Sequence, residues 1–358
     1  YTLAKGFIAS GFSVDCVTSW HKGLKRFEIV DGINIYRVRI FGRKNLETST
    51  FVSMASFTVS GFFKGFGLCL KNKYEFINTH FVVPTGPVGY VLALIFRVKN
   101  ILSLHGGDIY DPTKKLSPHR YRFLRVIIKF LLESAYRVVS QSTFTKRNAI
   151  KYYNPKTEIH IIPLPYKHFN FRKISKDKLG LFENKKYIIG IGRLIKAKGF
   201  EYFIEALSLL SDMPDVEGLI IGDGPEKNDL IDVAKKLKVK DKIHFLGSKI
   251  GEIKFQYLDN ANIYVSSSVQ ETFGIVLQEA MQVGLPIVVT RNEGPASFIK
   301  EGLNGLLVEL RNPEELSEKI RVLITDSALR KKMSDQNKKD IYNFDFKEIS
   351  RQYLSLLK

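Results

Sequence analysis

Lys186-Tyr-Ile-Ile-Gly-Ile-Gly-Arg-Leu-Ile-Lys-Ala-Lys-Gly199 is a short apolar run that ends in glycines and leads into a loop rich in cations. A run of this kind reads as a strand buried on both faces of a parallel sheet. Behind it, Phe200, Phe203, Ile204, Leu207 and Leu210 keep a helical period. The alternation continues downstream. Residues 216–222, 242–246, 263–266, 286–290 and 305–308 read as strands, and 227–237, 250–260 and 273–282 as helices. Strands alternating with helices at this spacing predict an α/β fold with a doubly wound parallel sheet.

Upstream the pattern is similar but less regular. Strands are expected at 14–18, 33–39, 76–79, 100–104 and 137–140, and helices at 87–97, 121–132 and 144–152. Pro163 and Pro165 mark a turn between the halves. Two domains are therefore expected, residues 1–166 and 167–342, with a last helix within 343–358 packing back on the first. A chain of 358 residues is long enough for two cores. Cys16 and Cys69, the only cysteines, form no metal-binding pattern and exclude a disulfide scaffold, so a reducing, cytoplasmic setting is expected. The apolar run 81–98 is broken by Pro84, Gly86, Pro87 and Gly89, too early to leave a membrane-spanning helix. Of the net charge of +19, residues 1–166 carry +15. That bias suits an anionic partner: a membrane surface, a polyanionic acceptor or nucleic acid.

The chemistry concentrates in two places. Glu271-Thr-Phe-Gly-Ile-Val-Leu-Gln-Glu279 places one glutamate before a helix and a second inside it. Arg193 and Lys198 flank the loop between a strand and a helix, where cations oppose the helix dipole unless an anion intervenes. The amides of Phe273, Gly274 and Ile275 open the later helix, and Gly274 permits close backbone approach to a phosphate or sugar. Lys196 is expected to be solvated, and Thr272 is a candidate cap. His105, leaving a strand before Gly106-Gly107-Asp108, sits at the usual ligand edge of a parallel sheet. His80 ends another strand and suits either the acceptor side or a structural role. Asp108 suits either the loop amides or an acceptor.

With these stretches, together with Ser103–Asp108, Ile220–Glu226, Ile243–Gly247 and Gly302–Gly305, nearly the whole chain resembles a family-4 retaining glycosyltransferase of the GT-B fold. The resemblance implies two Rossmann-like domains facing a cleft. The family's opening strand and glycine-rich turn have no counterpart before Val14. It also implies that Arg193 and Lys198, after Gly192, hold a donor diphosphate, that Glu279 takes the ribose hydroxyls, that Glu271 lies beside the donor sugar, and that His105 points at the sugar being transferred. Gly222 and Phe245 fall where the family places the nucleobase. The expected reaction moves a hexose-type sugar from a nucleotide-diphosphate-sugar to a glycan, a lipid-linked or another cell-envelope acceptor, with retention. The nucleotide-sugar is a substrate, and no cofactor is expected. No Asp-x-Asp motif is present, so a metal-independent reaction is expected.

Arg122, Arg125 and Lys129 recur at helical spacing among large apolar residues, as in a helix lying on anionic lipid, and Gly61–Leu68 is a second such stretch. Peripheral attachment to the cytoplasmic face of a membrane is the expectation. A basic nucleic-acid-binding protein would interleave aromatic with basic residues on a recognisable module, which is not seen, so no nucleic acid is expected. A nucleotide-sugar epimerase or phosphorylase is disfavoured by the glutamate spacing with Arg193 and Lys198. A nucleotide-sugar binder with little transfer activity is the remaining alternative.

Overall fold

The computed structural model describes residues 1–43, 50–112, 117–291 and 294–358. The chain divides into two compact units, Tyr1–Pro165 with Phe346–Lys358, and Tyr166–Asp345. The expected division lay one residue later at the first boundary and three residues earlier at the second.

The first unit runs α1 (Thr2–Ala9), β1 (Val14–Ser19), β2 (Phe27–Val30), β3 (Ile33–Val38), α2 (Phe51–Lys71), β4 (Phe76–His80), α3 (Gly86–Phe96), β5 (Lys99–Leu104), α4 (Arg122–Ser134), β6 (Arg137–Ser140), α5 (Thr143–Tyr153) and β7 (Ile159–Ile161). Among the described residues its strands form two sheets, β1-β3-β2 and the parallel β4-β5-β6-β7, so β1 and β4 are both edge strands. β2 and β7 were not anticipated, and of α2 only the stretch Gly61–Leu68 was read as a candidate helix. Helix α2 holds Gly61, Gly65 and Gly67, which weaken helix propensity. It forms nonetheless because Thr50 and Ser53 close a reciprocal capping box and because Gly65 lets Leu92 of α3 pack close.

The second unit runs β8 (Lys186–Ile191), α6 (Phe200–Ser208), β9 (Val216–Ile221), α7 (Lys227–Lys236), β10 (Ile243–Gly247), α8 (Glu252–Asn260), β11 (Ile263–Ser266), α9 (Ile275–Val283), β12 (Ile287–Thr290), β13 (Gly305–Val308), α10 (Pro313–Thr325) and α11 (Ser327–Asp340). Its strands make one parallel sheet in the order β10-β9-β8-β11-β12-β13. Successive strands build outward from β8 on one side, then from β11 on the other, so the order reverses between β8 and β11. The core between this sheet and its helices holds Ile188, Phe203, Leu207, Ile220, Val265, Val288 and Ile320, all buried.

The chain then returns to the first unit as α12 (Phe346–Ser355). There Ile349 and Tyr353 join Leu3, Phe7, Ile101 and Val139 in one apolar cluster. α12 meets α1 at Gly6, where a Cβ would lie 2.6 Å from Ser350 Cβ.

Candidate functional site

In open α/β sheets, ligands bind beyond the carboxyl ends of the strands where the strand order reverses. In the second unit that place is above β8 and β11. The loop leaving β8 carries Gly192, Arg193 and Lys198, and the chain leaving β11 carries Glu271 and Gly274. Lys198 Nζ and the Glu271 carboxylate form an ion pair across the reversal point, each side chain about one-fifth exposed. Lys198 extends over Gly192, its Cδ 3.7 Å from where a Gly192 Cβ would stand. The β8 and β9 loops are locked at the same place. A Cβ on Gly222 (φ +148°) would lie 1.8 Å from the Gly192 carbonyl oxygen, so only glycine fits.

Helix α9 starts two residues later than expected, at Ile275. Its N-cap is Gly274, in the left-handed conformation (φ +87°), rather than Thr272. Among the described residues no side chain caps it, and the amides of a first turn without a cap are left to bind an anion or solvent. Gly274 backs on Glu271, whose Cγ lies 3.6 Å from an added Cβ. Phe273, by contrast, is buried in an aromatic group with Phe298 and Phe344, so its side chain serves packing.

Arg193 and Lys196 are both exposed. The Arg193 guanidinium has no hydrogen-bond or ion-pair partner among the described residues, so it is uncommitted on the same loop that carries the paired Lys198. Glu279 lies inside α9 and is buried, at 9% exposure. Its Oε1 accepts from Lys254 Nζ of α8 at 2.6 Å, while Oε2 is buried with no partner among the described residues. A desolvated carboxylate oxygen without a donor is costly, and a ligand hydroxyl would satisfy it. Tyr264 of β11 lies near both glutamates; burial first, then the Glu271 and Glu279 carboxylates, push its phenol up. Lys254 and Tyr264 were not found from sequence. Lys254 is one lysine among many until α8 is seen beside α9. Phe245 of β10 packs against the unit's core, with part of its surface left exposed.

His105 belongs to the first unit, where it follows β5. Its Nε2 is 2.9 Å from Nδ1 of His80, at the end of β4, and its Nδ1 meets the Gln141 amide. Phe81 stacks on the His105 ring at 4.2 Å and holds a left-handed backbone (φ +71°), a strained conformation for a bulky residue. Burial lowers His105 to about 3, with the neighbouring His80 adding to the effect, and burial lowers His80 to about 4. Both rings are therefore neutral near pH 7, able to donate from one nitrogen and accept at the other. Asp108 accepts from the Val82 and His105 amides at 2.7 and 2.9 Å, so it ties together the loops after β4 and β5. Burial raises it to about 6 against the opposing pull of those amides. Sequence left the roles of His80 and Asp108 open; the structure places His80 against His105 and gives Asp108 the loop amides.

Residues 1–166 match the model described as Glycosyltransferase Family 4, and residues 171–340 the model described as Glycosyl transferases group 1. The chain is a glycosyltransferase of the GT-B type. It is 28% identical to an uncharacterised glycosyltransferase of Methanocaldococcus jannaschii over 99% of this chain and 92% of that protein. An alpha-monoglucosyldiacylglycerol synthase of Streptococcus pneumoniae is 23% identical over 86% of this chain and 70% of its own. Among solved structures, sucrose-phosphate synthase from Thermosynechococcus elongatus superposes with a TM-score of 0.80 at 21% identity, covering 99% of this glycosyltransferase and 90% of that chain. For the glycosyltransferase, the expected GT-B fold with two Rossmann-like domains thus stands.

Proposed function

We propose that this glycosyltransferase moves a hexose-type sugar from a nucleotide-diphosphate-sugar to a lipid-linked, glycan or other cell-envelope acceptor, with retention and without metal. The observation that carries this reading is the Lys198–Glu271 pair at the strand-order reversal, next to the start of α9 at Gly274 and on the loop that carries Arg193. Arg193 and Lys198 neutralise the diphosphate, and the first-turn amides of α9 face its charge. An incoming phosphate competes with Glu271 for Lys198, which releases that carboxylate toward the donor sugar. Glu279, with one oxygen held by Lys254 and the other unpartnered, accepts from the ribose hydroxyls. A front-face transfer suits this donor set. The departing phosphate oxygen takes the acceptor proton while the new glycosidic bond forms at the carbon it leaves, and the cations absorb the developing charge. A relative named for making alpha-monoglucosyldiacylglycerol supports a lipid acceptor, and the cytoplasmic face of a membrane is the proposed location.

A thermal-shift panel of UDP-, GDP- and ADP-sugars in the presence of a chelator tests the donor half. One donor is expected to raise the melting temperature of the wild type and to lose most of that shift in Arg193→Ala. A donor that stabilises both proteins equally removes Arg193 from the site.

A further inference from the structure

The outer face of the first unit is apolar where a solvated protein is ordinarily polar. On α2, Val59, Phe63 and Leu70 fall along one line at about 3.6 residues per turn, and all three are at least 60% exposed. The opposite side of α2, with Gly61, Gly65 and Leu68, is the buried one. A helix apolar on both sides is normally enclosed by protein or lipid. In α2, the longest helix among the described residues, only 22% of the most apolar 18-residue stretch is buried. Helix α4 repeats the pattern: Phe123, Val126 and Phe130 are exposed, while Ile128, Leu131 and Leu132 are buried behind them. Helix α3 joins the two into a continuous layer, with Phe96 against Phe66 of α2 at 5.3 Å and Tyr90 against Phe130 of α4 at 5.0 Å.

Charge selects the occupant. Neither α2 nor α3 contains an aspartate or glutamate; Lys64 and Lys71 are the charges on α2. On α4, Arg122, Arg125 and Lys129 run beside the exposed apolar stripe, and the single acid, Glu133, lies 3.9 Å from Lys129. Two copies of this face would bring like charges together, whereas a surface that is apolar inside and anionic at its rim complements it. We propose that α2, α3 and α4 form a docking surface for an anionic lipid bilayer. The three helices lie in the interface, with Phe63, Leu70, Phe123 and Val126 entering the acyl boundary and the α4 cations at the headgroups. Helix α2 is long and apolar enough to cross a membrane, but Gly65 seats it on Leu92 of α3, so it rests on the bilayer as part of the layer. The inference deepens the lipid-acceptor reading and rests on it for its purpose, although docking itself requires no transfer.

The test is co-sedimentation of the full chain with phosphatidylcholine vesicles that contain or lack phosphatidylglycerol. Binding to the anionic vesicles is expected, weakening with salt. A triple variant, Phe63→Ser, Phe123→Ser and Val126→Ser, is expected to lose at least about tenfold in partitioning, because three exposed apolar side chains no longer enter lipid. Arg122→Gln with Arg125→Gln is expected to lose the preference for phosphatidylglycerol. All five residues are exposed, so the melting temperature checks that the variants fold. The proposal is overturned by wild-type protein that stays in the supernatant, or by a triple variant that pellets equally. It is overturned too if the protein resists alkaline carbonate extraction, which would mark a spanning helix. A dimer that the triple variant splits, without vesicle binding by the wild type, would assign the face to a second copy. The donor thermal shift on the same samples separates the two readings: lost pelleting with an intact shift rejects only docking, and the converse rejects only the donor site.

Discussion

His105 makes contacts that fix its orientation before any substrate arrives. His80 engages one ring nitrogen, Gln141 the other, and Phe81 covers one face. The lowered values of both histidines mean that the unfolded chain binds more protons than the folded one between their ordinary value of 6.5 and about 4. Their contribution to stability is full above pH 6.5 and declines on acidification. Asp108, raised to about 6, works in the opposite sense and offsets one histidine over much of that window. The net effect is a loss of about 1.4 kcal/mol per pH unit at most. His80→Gln removes one histidine and should flatten the acid limb between pH 6.5 and 5 by about that slope. Urea unfolding followed by Trp20, the only tryptophan and a member of the first unit, reads it. Parallel acid limbs in wild type and variant would show that the pair is not held neutral. In the second unit, Lys254→Met strands a carboxylate that is almost wholly buried. Breaking such a pair costs about 3–5 kcal/mol, whereas removing both partners costs far less. Lys254→Met should thus lower the melting temperature sharply, and adding Glu279→Leu should restore much of it. If the single and double variants melt alike, the pair is not what Glu279 depends on.

At the scale of elements, the second half was legible as far as β13 because buried parallel strands are continuous apolar runs and their helices keep a clean period, whereas α10 and α11 were not anticipated. Nor was the strand order, since nothing in residues 263–266 tells which side of β8 they join. The Lys198–Glu271 ion pair was therefore not anticipated, and it follows only once β11 is seen beside β8. Strand β2 was missed although its signal was present: Asp31-Gly32 joins Phe27–Val30 to Ile33–Val38, with both turn residues at positive φ, the pattern of a two-residue hairpin. Of helix α2 only Gly61–Leu68 was read as a helix, for a different reason. Its glycines lower helix propensity, and its packing against α3 compensates only in the folded protein. The same kind of tertiary requirement governs Gly222, where two strand-end loops touch backbone to backbone. Gly222→Ala cannot be relieved by turning a side chain, because the obstacle is the Gly192 carbonyl. A loss of about 2 kcal/mol or more is expected from overpacking and backbone strain together. Chemical denaturation checks it. An alanine variant of wild-type stability would mean the two loops separate freely.

For the molecule as a whole, the sequence order and the folding units do not coincide. The second unit is one continuous segment, Tyr166–Asp345, closed at its ends by the Tyr166 amide donating to the Phe344 carbonyl at 2.7 Å. The first unit is discontinuous, completed only when α12 returns from the end of the chain. Ile349 is fully buried against Leu3, Phe7, Ile101 and Val139, and Tyr353 meets Ser103 of β5 at 3.1 Å. Two consequences follow from this wiring. Residues 166–345 expressed alone should unfold cooperatively and, if the donor reading is right, keep the nucleotide-sugar thermal shift. Ile349→Ala should cost the first unit about 2–5 kcal/mol, the usual price of truncating a large aliphatic side chain in a core. The two units can be followed separately, since Trp20 fluorescence reports the first and the nucleotide-sugar shift reports the second. Ile349→Ala is expected to move the Trp20 transition to lower urea and to leave the nucleotide-sugar shift in place. Movement of both together would mean that the units unfold as one, and that α12 carries stability across the boundary as well as within its own unit.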